Sequence, residues 1–192
     1  MKYTFFALQA AVRDLSVRAR LHSLVALTPG EQSLADKRGF YNEVTNLLLP
    51  AVACIDMGYW DYIPDASRAE KEFDTWCSEI EQVVGGAVPD EDGPGQGAYR
   101  TAGAGGQYFL VSLAFLLQKG GTSDVTMAER CDIQEADFFR RSTFAHLLAT
   151  PPMLSYASIR ADAIYVVPGS DEDALTAEDL RGEGYEYLRP IT

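Results

Sequence analysis

The sequence predicts an α+β domain: a small sheet of about three strands, helices packed against it, and one long glycine-rich loop. Three observations carry that expectation. Apolar runs at 108–117 and 159–167 lack helical periodicity and have the length and β-branched or aromatic content of buried strands. Two other segments, beginning at Phe40 and Ala69, repeat apolar residues at helical spacing. Between these groups, residues 85–106 hold eight glycines and two prolines, too little apolar surface to pack.

In chain order, residues 3–12 are rich in aromatic and aliphatic side chains and predict the first strand. From Arg13 the pattern turns helical, with Leu15, Leu21, Leu24 and Val25 on one side. Thr28-Pro29-Gly30-Glu31 reads as a helix start: a threonine cap, proline at the first position and glutamate at the third. Phe40, Val44, Leu47, Leu48, Ala51, Val52 and Ile55 form a helical stripe. Pro50 lacks an amide hydrogen, so it ends or kinks that helix near Leu49. Ser67-Arg68-Ala69-Glu70 reads as a capping box, and the stripe Ala69, Phe73, Trp76, Cys77, Ile80 and Val83 behind it is the best amphipathic pattern in the chain.

After the strand at 108–117, Asp132-Ile133-Gln134-Glu135 caps a helix carrying Phe138, Phe139, Phe144, Leu147 and Leu148. Thr150-Pro151-Pro152 stops it, because proline disfavours helix in the residue before it. Thr176-Ala177-Glu178-Asp179 predicts a capped, short final helix. Residues 1–192 then make one domain, with the flexible Gly/Pro/acidic loop at 85–106 between an N-terminal helical half and a C-terminal α/β half.

A chain of 192 residues buries most of its apolar surface without disulfide or metal staples. Its formal net charge of −12 excludes a nucleic-acid surface, which needs a basic stripe, and mainly serves solubility. Cys54, Cys77 and Cys131 are odd in number and form no C-x-x-C pair, the usage of reduced, intracellular thiols. The start, Met1 to Phe6, is interrupted by Gln9, Arg13 and Asp14 before it becomes a secretion signal. The longest apolar stretch, 108–117, falls far short of the ~20 residues of a membrane span. The expected location is the cytoplasm.

No reactive constellation stands out. His22 and His146 lie inside helical stretches without a second ligand at metal spacing, and no G-x-S-x-G elbow is present. The glycines at 93–97 and 103–106 precede a strand, whereas a phosphate-binding loop follows one and opens a helix. The acidic triplets Asp90-Glu91-Asp92 and Asp171-Glu172-Asp173 supply too few oxygens for calcium. No metal, cofactor or catalytic residue is therefore expected. The feature to watch is Tyr59-Trp60-Asp61-Tyr62, closed by Ile63-Pro64 and read as a turn between two helices. It either presents a flat amphipathic surface of the kind enriched in binding hot spots, or wedges the helix pair with buried rings.

Several segments together resemble a known family. They are Gly39-Phe40 with Leu47-Leu48, Gly58-Tyr59, Glu70-Lys71-Glu72-Phe73 and the strand Gln107-Tyr108-Phe109-Leu110-Val111-Ser112-Leu113. The strongest lie at the end: Ala163-Ile164-Tyr165-Val166-Val167-Pro168, Asp173-Ala174-Leu175-Thr176-Ala177-Glu178-Asp179-Leu180, and Tyr185-Glu186-Tyr187-Leu188-Arg189-Pro190-Ile191. In these the chain resembles the uncharacterised family numbered 1517 among domains of unknown function, found in cyanobacteria, chloroplasts and other bacteria. It differs in having Tyr165 or Val166 where the family's last strand has tryptophan, and Ser142-Thr143-Phe144 where a more charged helix is usual. The membrane segment and long glycine-rich region that usually precede the domain do not stand ahead of it here. The resemblance implies a fold and a kinship, and brings no catalytic residues.

The expected function is a non-enzymatic binding or regulatory module. It would contact an unidentified protein partner through Tyr59, Trp60, Asp61 and Tyr62. The alternative is a small-ligand binder or enzyme with a pocket near the same four residues, for which Tyr59, Asp61, Arg140 and His146 would converge. A homo-oligomer through Phe138-Phe139 is a third reading.

Overall fold

All ten residues of β1 (Tyr3–Val12) are buried, which requires cover on both faces of the strand. The computed structural model describes residues 1–27, 32–85, 100–101, 105–182 and 184–192, and shows how that cover is built. β1 leads into α1 (Leu15–Ala26), α2 (Leu34–Leu48), β2 (Ile55–Ile63) and α3 (Ala69–Gly85). A short β3 (Arg100–Thr101) precedes β4 (Phe109–Gln118), α4 (Thr122–Cys131), α5 (Arg141–Leu148) and β5 (Ile159–Val167). Two short strands follow, β6 (Asp173–Ala174) and β7 (Arg189–Pro190).

The protein is α+β, with five helices among the described residues and a five-stranded antiparallel sheet in the order β5-β4-β1-β2-β7. The expectation of about three strands undercounts it. β3 and β6 form a separate two-stranded sheet. β3 falls inside the segment read as a glycine-rich loop, while 86–99 and 102–104 lie outside the described residues. The half read as helical supplies β1 and β2 to the same sheet that β4, β5 and β7 complete.

The pleat divides the side chains cleanly. Phe6, Leu8, Ala10 and Val12 of β1 and Phe109, Val111, Leu113, Phe115 and Leu117 of β4 face the larger core. There they meet Leu21 of α1, Tyr41, Val44 and Leu48 of α2, Met127 of α4, and Phe144, Leu147 and Leu148 of α5. The opposite face is covered by α3: Phe5, Ala7, Ala114 and Leu116 pack under Phe73, Trp76 and Cys77. The register lines up Ala7, Ala114 and Ala163 in one transverse row, small residues that let a helix carrying large rings approach the sheet.

Local signals set most boundaries. Ser33 and Asp36 close a reciprocal capping box at the start of α2; the cap expected at Thr28–Glu31 lies outside the described residues. α2 stops at Leu48 before Pro50, and Ile55, read as the end of its stripe, starts β2 instead. At α3, Asp65 accepts from the Ser67 amide at 2.9 Å and its hydroxyl at 2.7 Å, a turn that delays the helix to Ala69. Glu135–Asp137 form only a 3₁₀ turn, so the helix carrying Phe144 begins later than its expected cap, at Arg141.

Beyond the short strands β3, β6 and β7, two elements were not anticipated. α4 is short and is held by two buried polar residues: Asp124 accepts from Thr4 of β1 at 2.6 Å, Tyr62 of β2 at 2.5 Å and the Gly120 amide at 2.7 Å, and the Ser123 hydroxyl donates to the Ser155 carbonyl at 2.8 Å. β2 takes the place of the proposed Tyr59–Tyr62 turn. Its aromatic residues favour a strand, and its one glycine has a packing cause. A Cβ at Gly58 would lie 2.5 Å from the Phe144 ring and 2.9 Å from the Gln9 carbonyl oxygen.

Two glycine substitutions should therefore move stability in opposite directions. Gly58→Ala overpacks the β2–α5 contact and is expected to cost about 1–3 kcal/mol. Gly39→Ala, in α2 with nothing within 4 Å of the added carbon, should gain about 0.5–1 kcal/mol. Urea unfolding of both variants measures the contrast.

Candidate functional site

Gln9 is the polar interruption on the α3 face of β1, between Ala7 and Ala11, and it is fully buried. Ser112 is its counterpart in β4, whose other buried residues are apolar. The register places them opposite each other, with Tyr59 of β2 beside Gln9 and Tyr165 of β5 beside Ser112. Four polar side chains thus cross the sheet in one row, separating an apolar cluster around Phe5 and Phe73 from another around Leu110, Val167 and Leu188.

A buried amide must have its donors and acceptor met. Gln9 Nε2 donates to Ser112 Oγ at 2.7 Å, and Gln9 Oε1 accepts from the Tyr187 hydroxyl at 2.6 Å. The second bond fastens the C-terminal segment onto the sheet. Tyr187 then packs edge-on against Tyr59, ring centroids 5.4 Å apart, while Tyr59 stacks on Trp76 of α3 at 6.0 Å. Trp76 and Tyr187 complete the triangle at 6.3 Å. At the far end of the row, Tyr165 donates to Glu81 of α3 at 2.8 Å.

Beside this aromatic triangle lies a cavity of about 180 Å³. Its floor is Gln9 with Leu110 and Val167; α3 provides Trp76, Ile80 and Glu79; Tyr59, Tyr185 and Tyr187 close the remaining sides. Glu79 is exposed and stands at the rim, and among the described residues the lining holds no lysine, arginine or histidine. Burial, reinforced by Asp61, pushes the Tyr59 hydroxyl up to about 12. Burial also lifts Tyr187 to about 12, with Glu79 among the charges that reinforce it. Both phenols are therefore neutral donors at physiological pH. The Trp76 indole N–H is buried without an acceptor among the described residues.

The four residues singled out from the sequence are split by the pleat. Tyr59 and Asp61 share the α3 face, and the Tyr59 hydroxyl donates to Asp61 at 3.4 Å. Trp60 and Tyr62 face the larger core. Trp60 Nε1 donates to the Phe138 carbonyl at 2.8 Å and packs edge-on against that ring, and Tyr62 is the donor to Asp124. Only Tyr59 lines the cavity. The convergence imagined for an enzyme is absent: Arg140 pairs with Asp137, and His146 sits on α5 beside Arg130 on the other side of the sheet. Phe138 and Phe139 are half-buried, Phe138 against Trp60 and Phe139 against the larger core.

Elsewhere, His22 Nδ1 lies 2.6 Å from Asp171, whose loop also receives the buried Arg18. Cys54, Cys77 and Cys131 are unbridged, and burial pushes the Cys131 thiol up to about 12, the opposite of an activated nucleophile. Among the described residues, no group of three or more His, Cys, Asp or Glu side chains is placed to hold a metal ion. No helix there is long and apolar enough to cross a membrane.

No family model, curated protein or solved structure matches this chain. The sequence analysis did not single out Gln9, Ser112, Trp76 and Tyr187 as site residues, although one signal was available: Gln9 and Ser112 stand as polar residues in the middle of two largely apolar strands. Their meeting depends on strand register, which local sequence does not display.

Two consequences are measurable. Tyr187→Phe leaves the buried Gln9 oxygen unpaired and should cost about 1–3 kcal/mol in urea unfolding. Because Tyr59 and Tyr187 are raised from 10.0 to about 12, the folded state holds these protons more tightly than the unfolded chain. Their stabilisation is complete below about pH 10 and lost as pH rises towards 12. The alkaline fall in unfolding free energy should be shallower in Tyr187→Phe than in the unaltered protein.

Proposed function

We propose that this protein is a non-enzymatic binding module whose ligand is a small organic molecule held in the cavity between α3, the sheet and the C-terminal segment. The observation that carries this reading is the cavity itself. It is an apolar recess with a few fixed polar groups, the composition of small-molecule sites. Its volume of about 180 Å³ suits a guest near the size of benzene, which a cavity of roughly 150 Å³ accepts. The walls are preorganised, because Gln9 is tied to Ser112 and Tyr187, and Tyr59 is held between Trp76 and Tyr187. A rigid wall keeps the ordering cost of binding low.

This choice follows the alternative reading of the sequence, with the pocket near Tyr59, over a partner surface made of Tyr59 to Tyr62. Those four side chains point to opposite faces of β2 and offer no contiguous patch. Kinship with family 1517 is proposed on the same footing, from motifs that fall on β2, β4, β5 and the Tyr185–Ile191 segment, the last of which walls the cavity through Tyr185 and Tyr187. The unbridged thiols support a reducing compartment such as the cytoplasm.

The test is a thermal-shift screen with a mixed set of neutral, cationic and anionic fragments, followed by side-chain NMR mapping. A true ligand at ~100 Kd should add about 2.7 kcal/mol of stability and shift the signals of Tyr59, Trp76 and Tyr187. A screen without a stabilising fragment, or with shifts confined to other residues, removes the reading.

A further inference from the structure

We infer that the cavity's ligand is a small organic cation, a methylated ammonium group lodged against Tyr59, Trp76 and Tyr187 with Glu79 as its counter-charge. The inference rests on the small-ligand reading above and narrows it to one chemical class.

Three aromatic rings meet at one wall, with centroid separations of 5.4, 6.0 and 6.3 Å. Aromatic faces carry negative potential and attract cations, and clusters of such rings are the usual means of recognising methylated ammonium groups. The charge pattern agrees. Among the described residues, Glu79 is the one carboxylate in the lining, and no basic residue there opposes it. Asp61 and Glu72 lie close enough to act on the Tyr59 hydroxyl, and Glu79 and Glu186 on that of Tyr187. An anion entering here would meet this field with no cationic partner among the described lining residues, in a chain of net charge −12.

The apolar lining decides between a bare ammonium and a methylated one. A primary ammonium needs three acceptors converging on it to replace its water, whereas the acceptors here are the rim carboxylate of Glu79 and tyrosine hydroxyls, two of which already donate elsewhere, to Asp61 and Gln9. The Gln9 oxygen is already engaged by Tyr187. Methyl groups remove that demand and find Ile80, Leu110 and Val167 to pack against. The volume of about 180 Å³ admits a trimethylammonium head with a short tail and excludes a long chain.

The experiment is isothermal titration of the intact protein with choline and, in parallel, with 3,3-dimethylbutan-1-ol, its uncharged isostere of the same shape. Choline should bind saturably and the isostere at least ~10-fold more weakly, the difference expected from desolvated cation–π and counter-charge contacts. Glu79→Gln, at an exposed position that should not perturb folding, should weaken choline several-fold and leave the isostere unchanged. Tyr59→Leu, checked for folding by circular dichroism, should weaken choline as well. Equal binding of choline and the isostere would overturn the cationic class while leaving a small-ligand site. Failure of choline alongside stabilisation by an anionic or neutral fragment in the screen would do the same. If choline, isostere and every fragment fail, both the class and the small-ligand reading fall.

Discussion

β1 has no face turned to water. It lies between β2 and β4, under the helices of the larger core on one side and under α3 on the other. In such a position each side chain must be apolar or have its polar atoms fully matched, since an unmatched buried amide forfeits its hydration with nothing in return. Gln9 meets that condition with two partners far away in sequence, Ser112 and Tyr187. Much of the α3 side follows from it. The register between β1 and β4 sets Ser112 opposite Gln9, and the C-terminal segment is drawn across the sheet so that Tyr187 reaches the remaining oxygen.

The two faces are covered by different means, and the difference explains where the cavity forms. Helices α1, α2, α4 and α5 together blanket the larger core. The opposite side has one long helix, α3. A helix with its side chains is about 10 Å across, whereas four long strands about 4.8 Å apart span roughly 15 Å. α3 cannot cover that width alone. Leu175, Leu180 and Leu188 cover the remainder, and the chain then turns over the sheet edge through β7 so that Ile191 joins the larger core. The cavity is the seam between α3 and this late-arriving cover. Its rings come from three separate parts of the chain, which is why Tyr59, Trp76 and Tyr187 meet there.

How much was legible in the sequence depended on how local each signal was. β1 and β4 show as largely apolar runs because central antiparallel strands covered on both sides have no polar face, and the edge strand β5 shows through its apolar end, Ala163 to Val167. The end of α2 was marked by Pro50, the end of α5 by Pro151-Pro152, and the final 3₁₀ turn by a box between Thr176 and Asp179, whose hydroxyl and carboxylate exchange bonds with the backbone. β2 was misread. Gly58 and Pro64 bracket its aromatic residues like turn punctuation, and the reason for Gly58, the Phe144 ring above it, lies 86 positions away in the chain. α4 was missed because it buries only a few residues, among them Met127 and a carboxylate whose partners are on other elements.

The candidate site shows the same division more sharply. Tyr59 was picked out by its aromatic neighbours, but those neighbours were grouped along the chain, and the pleat of a strand separates adjacent side chains onto opposite faces. Trp60 and Tyr62 therefore became core, while Tyr59 joined residues from α3 and the C-terminal segment. The sequence by itself determined the α+β class, the apolar strands and helical stripes, the acidic charge and the lack of a local catalytic motif, because each is written in neighbouring residues. The tertiary structure alone decided the strand order, the pairing of Gln9 with Ser112 and Tyr187, and the existence of the cavity. Those depend on register and on which distant segments compete to cover one face of the sheet, and no short-range pattern encodes that competition.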